Sequence, residues 1–120
     1  MSIKNEVVIT SALRTAIGTM GGALKKVSGH ELGACVIKEI INKSGVNIDD
    51  IDEVIMGQVL TAATGQNPAR QAAMISGIPK EKPAYLVNQV CGSGLRSVAS
   101  GLQSILSGNS KILVAGGQES

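Results

Sequence analysis

Short apolar runs alternate with amphipathic stretches along the 120-residue chain. Residues 6–10 carry Val7, Val8 and Ile9 in sequence and predict a strand, followed by loop glycines at 18, 21 and 22. Ser28 and Glu31 have capping-box spacing. From there Leu32, Val36, Ile37, Ile40 and Ile41 keep i, i+3, i+4 spacing, a helix with one apolar face closed by Ser44 and Gly45. Residues 53–60 predict a second strand. Asn67 and Pro68 then read as N-cap and first residue of a helix whose Ala69, Ala72, Ala73 and Ser76 share one small face. Residues 85–90 predict a third strand. A third helix follows, with an apolar stripe of Leu95, Val98, Ala99, Leu102, Ile105 and Leu106 and a second face of Ser97, Ser100, Gly101 and Ser104. Apolar on one side and tiny on the other, that helix is expected to be buried all round. Residues 111–115 predict the fourth strand.

The order β-α-β-α-β-α-β defines an α/β fold with a mixed, mostly parallel sheet covered by helices. The whole of residues 1–120 reads as part of one domain. Composition narrows the function. There is one Tyr and no Phe or Trp, and the net charge is only +2. Nucleic-acid modules that stack bases on aromatics and hold phosphates on a basic face are therefore disfavoured. No apolar run reaches membrane-spanning length, and the first residues carry no targeting pattern, so a cytoplasmic protein is expected. Cys35 and Cys91 are too few for a disulfide framework and lack metal-ligand spacing. Gly18, Gly21 and Gly22 match neither the P-loop nor the dinucleotide fingerprint.

Cys91 is the residue on which chemistry can rest. It follows an apolar strand and precedes a helix, and Gly92 and Gly94 allow the sharp turn that exposes a side chain there. The helix dipole and free N–H groups at that point favour negative charge, so the thiol has the setting of a nucleophile for thioester chemistry. The backbone N–H of Cys91 can assist a developing oxyanion. Burial as a small hydrophobe is the competing reading of the same residue. Cys35, beside Val36 on a helix, reads as packing, His30 as a cap or surface residue, and Lys25, Lys26, Lys80 and Lys82 as solvated charges. Residues 66–70 read either as helix capping or, with Arg70 and the small face, as a contact between subunits.

Asn88-Gln89-Val90-Cys91-Gly92-Ser93-Gly94-Leu95-Arg96-Ser97-Val98 resembles the nucleophile motif of the thiolases, in the form typical of their biosynthetic branch. Residues 11–18, 53–60, 65–73 and 115–120 resemble further thiolase segments in order and spacing, so the resemblance spans the whole chain. It implies a reversible Claisen condensation of two acetyl-CoA to acetoacetyl-CoA and CoA, with Cys91 acylated first. It implies acetyl-CoA as substrate with no resident cofactor or metal, a homodimer or homotetramer, and no nucleic-acid or membrane partner. It also implies that the catalytic histidines, the second catalytic cysteine and most CoA contacts lie later than this chain reaches. The chain is thus expected to correspond to about the first third of a subunit and to be inactive alone. The alternatives are a non-catalytic thiolase-like binding or assembly piece and a thiolase of longer acyl-chain preference.

Overall fold

The computed structural model describes residues 6–120. Three parallel strands form its sheet: β1 (Glu53–Gly57), β2 (Ala84–Val87) and β3 (Leu113–Gly117), in the order β2-β1-β3. Val54 pairs with Ala84 on one side and Val114 on the other. Helices α1 (Gly29–Ser44) and α2 (Pro68–Ile75) cover one face, and α3 (Ser93–Leu106) covers the other. A short 3-10 turn, Ile48–Asp50, leads from α1 to β1.

The helix starts are written locally. The Ser28 N–H donates to Glu31 Oε2 at 2.8 Å and the Glu31 N–H to Ser28 Oγ at 3.3 Å, closing the expected capping box. Those Ser28 bonds hold the Glu31 carboxyl below the ordinary range. At the far end Gly45 takes a left-handed φ of 70°. Asn67 Oδ1 accepts the Arg70 N–H at 3.0 Å, and Pro68 occupies the first turn of α2. Such caps contribute about 1 kcal/mol each.

The main core lies between the sheet and the α1–α2 layer. Ile37, Ile51, Val54, Met56, Ala69, Ala72, Ala73, Ile78 and Val114 form one buried cluster. The small face of α2 is consumed here, with Ala69, Ala72 and Ala73 fully buried. This corrects the reading of that face as a contact between subunits. Arg70 has an internal task as well: its Nη1 donates to the Lys82 carbonyl and its Nη2 to the Lys80 carbonyl, both at 2.7 Å. The guanidinium thereby holds the loop that enters β2.

On the opposite face α3 lies almost in contact with the strand backbones. A Cβ at Gly57 would collide with the backbone of Ser93, and one at Gly101 would sit 2.7 Å from Leu113 Cδ1. Ser97 Oγ donates to the Gly116 carbonyl at 2.7 Å. The small residues Ser93, Ser97 and Gly101 are thus the buried side of α3. The large apolar residues point outward, with Leu95 80% and Leu106 51% exposed. Burial all round does not hold among the described residues, because close approach selects the smallest face, not the most apolar one. At the lower edge the Glu53 carboxylate receives Ser104 and Ser110 hydroxyls, fixing the end of α3 against the start of β1.

Two further expectations change. Residues 6–10 form no strand: they pair with none of the three strands, and Val8 and Ile9 are 64% and 77% exposed. A β-rich segment without a ladder partner stays an exposed chain. The three strands of the sheet pair in parallel, in keeping with the mostly parallel sheet expected. Cys35 is exposed on α1 instead of packed, since the inward positions of that helix are Gly33, Ala34 and Ile37.

Gly57→Ala is expected to cost about 1–3 kcal/mol through overpacking against α3, measured by urea denaturation. Asp52 gives a pH-dependent prediction. The N–H groups of Lys111 and then Ile112 hold its carboxyl below its ordinary value of 3.8. The stabilisation is therefore present above pH 3.8 and lost as pH falls below it. Asp52→Asn should lower the melting temperature at neutral pH and flatten that acid decline in a circular-dichroism pH series.

Candidate active site

Adjacent strands β1 and β2 send their chains to opposite faces: β1 leads to α2, and β2 leads to α3. The connections therefore diverge at the carboxyl ends of these strands, the place where open parallel sheets form ligand crevices. Cys91 lies there. Its side chain is exposed, so the competing reading of a buried hydrophobe fails.

The turn that carries it is strained. Val90 has a φ of 49°, in the left-handed region. For a β-branched residue that conformation costs on the order of 1–3 kcal/mol and persists only where surroundings enforce it. Polar groups grip both sides of the residue. The Val90 N–H donates to Asn88 Oδ1 at 2.9 Å. The Val90 carbonyl accepts the Ser93 hydroxyl at 2.6 Å and the Ser93 N–H at 3.1 Å. Ser93 Oγ also accepts the Gln89 N–H at 2.8 Å. Arg96, one turn into α3, donates from Nε to Gln89 Oε1 at 2.5 Å.

The neighbouring loop is tied to the same turn. Asn88 Nδ2 donates to the Val59 carbonyl at 3.2 Å. The N–H groups of Val59 and Leu60 donate to the Glu119 carboxylate, the shorter bond being 2.8 Å. Gln118 Nε2 donates to Gln58 Oε1 at 2.9 Å and to the Pro68 carbonyl at 3.2 Å. The ends of β1 and β3, the loop after β1 and the cysteine turn thus form one braced edge. Gly92 is the N-cap of α3 and supplies no side-chain cap, so the helix starts directly after the cysteine. What this arrangement can do is present a thiol to an electrophile at the end of a helix dipole.

The other residues weighed from the sequence are elsewhere. His30 is in the first turn of α1, and Cys35 lies on the same helix. Lys80 and Lys82 serve Arg70 through their carbonyls. Among the described residues no three His, Cys, Asp or Glu side chains gather as a metal site, and no helix is long and apolar enough to cross a membrane. Asn88, Ser93 and Glu119 were not singled out by sequence reasoning. Asn88 and Ser93 flank Cys91 in the motif, which is a usable signal. Glu119 is brought to Val59 only by the sheet.

Many known proteins and solved structures match this chain. The family described as "Thiolase, N-terminal domain" matches residues 7–120. The acetyl-CoA acetyltransferase of Rhizobium meliloti is 56% identical over 114 residues, covering 95% of this chain and 29% of that protein. That of Cupriavidus necator is 54% identical over 115 residues, covering 96% of this chain and 29% of that protein. Among solved structures, the Bacillus anthracis acetyl-CoA acetyltransferase superposes with a TM-score of 0.88 at 40% identity, over 92% of this chain and 28% of that one. A thiolase from Ascaris suum, solved in complex with coenzyme A, gives 0.81 at 40% identity, over 82% of this chain and 26% of that one. The chain belongs to the thiolase family, within its N-terminal domain. It spans about 29% of the length of the curated relatives it matches.

Both thiols being exposed, iodoacetamide is expected to alkylate Cys35 and Cys91 without denaturant. Peptide mass spectrometry checks this, and protection of either residue would contradict its position here.

Proposed function

We propose that this chain supplies the acyl-accepting cysteine of an acetyl-CoA C-acetyltransferase. The observation that carries the reading is the exposed Cys91 thiol in an enforced left-handed turn, in a chain that belongs to the thiolase family. Relatives named acetyl-CoA acetyltransferase support the choice of acyl group.

In this reading the Cys91 sulfur attacks the carbonyl carbon of acetyl-CoA. The new C–S bond forms, the bond to the CoA sulfur breaks, and CoA leaves and takes a proton. A second acetyl-CoA then gives up an α-proton to a base, and its carbanion attacks the acetyl-Cys91 carbonyl. A C–C bond forms, the Cys91 thiolate departs, and acetoacetyl-CoA is released. Each step is reversible. The dipole of α3 eases the departure of Cys91 as thiolate, and N–H groups at the turn suit the oxyanion formed on addition. The base and the remaining proton carriers belong to parts of a thiolase subunit beyond the segment matched here. Acetyl-CoA enters as substrate, not as a resident cofactor. The outward apolar stripe of α3 suits an inner layer of a larger, cytoplasmic homo-oligomer of two or four subunits.

In the intact protein, acetyl-CoA is expected to acetylate Cys91 and leave Cys35 free, as read by peptide mass spectrometry. Cys91→Ala should lower turnover by about 10³-fold or more. Full turnover with unmodified Cys91 would falsify the assignment.

A further inference from the structure

The strain at Val90 has identifiable holders. Nothing in valine itself favours a φ of 49°. The Val90 N–H donates to Asn88 Oδ1, and the Val90 carbonyl accepts the Ser93 hydroxyl beside the Ser93 N–H. Ser93 is buried and makes a second bond, to the Gln89 N–H. Asn88 is exposed, yet both ends of its amide are used, one on Val90 and one on the Val59 carbonyl. Each side chain therefore joins the cysteine turn to something more rigid: Ser93 to the start of α3, Asn88 to the loop after β1.

We propose that Asn88 and Ser93 are positioning residues that hold Val90 left-handed and thereby aim the Cys91 sulfur at an incoming thioester carbonyl. This rests on the reading of Cys91 as the acyl acceptor. Without the two grips Val90 relaxes to an ordinary φ, and the peptide that carries Cys91 rotates with it. The thiol stays exposed, but its direction is no longer set. Attack on a carbonyl is demanding in angle, and misplacement of about 1 Å costs roughly 100-fold. Alkylation by a small, freely diffusing reagent has no bound geometry to lose.

The two reactions separate aim from exposure. In the intact protein, Ser93→Ala and Asn88→Ala are expected to slow acetyl transfer from acetyl-CoA to Cys91 by roughly 10- to 100-fold. Alkylation of Cys91 by iodoacetamide, normalised to Cys35, should stay within about 3-fold, since that thiol is exposed in either conformation. Acetylation and alkylation falling together, in step with melting temperature, would show a purely structural role and overturn the proposal. So would unchanged acetyl transfer in both alanine variants. Asn88 is exposed, so its variant is expected to fold even where Ser93→Ala does not. A crystal structure of Asn88→Ala with Val90 still at positive φ overturns the positioning role of Asn88 without reference to activity. Absence of acetylation on Cys91 in the unaltered protein sinks the reading of Cys91 itself, a result distinct from any of these.

Discussion

Helix α3 can lie where it does only because its inward side is small and glycines carry its closest approaches to β1 and β3. Gly57, Gly101 and Gly117 remove the Cβ atoms that would hold helix and sheet apart. Ser97 then reaches from the helix to the Gly116 carbonyl, and Ser93 turns its hydroxyl back into the preceding loop. Most of the site follows from this contact. The N-terminus of α3 is pressed against the carboxyl ends of β1 and β3, so the loop from β2 has only a few residues in which to leave the strand and enter the helix. A tight, strained turn is the result, and its outermost residue is Cys91.

The strain at Val90 stands on polar contacts that are themselves anchored. Asn88 hangs from the loop after β1, and that loop is held by the Glu119 carboxylate at the end of β3. Gln58 and Gln118 tie the same two strand ends across the α1–α2 side. The cysteine is thus fixed to all three strands although it belongs to the connection after only one. A site on a loop gains the precision of a site on a sheet by this route, since the loop's degrees of freedom are removed by bonds to rigid elements.

Much of the fold was legible. Ser28 with Glu31, Asn67 with Pro68, and Gly45 mark helix ends through local chemistry, and they fall where their spacing predicts. Strand positions were legible from β-branched runs, but residues 6–10 show the limit. The run is as apolar as the others, and what it lacks is a neighbouring ladder, which local sequence does not encode. Helix α3 was expected to be buried all round, and among the described residues only its small side is covered. Contact distance decides which side that is. Arg70 was taken as surplus to capping, and only the fold brings the Lys80 and Lys82 carbonyls within its reach. Cys91 was legible because glycines on both sides of Ser93 announce a turn. The positive φ at Val90 was not, since no β-branched residue advertises it.

The inverted sidedness of α3 also separates two properties that usually travel together along a helix. On most amphipathic helices the greasy positions are the intolerant ones. Here the polar and featureless positions, Ser93, Ser97 and Gly101, are buried against the sheet, while Leu95 and Leu102 are exposed among the described residues. Substitution pressure from within this layer therefore acts on volume, with polarity secondary. A methyl added at Gly57 would run into the Ser93 backbone itself, whereas one at Gly101 faces the yielding end of the Leu113 side chain.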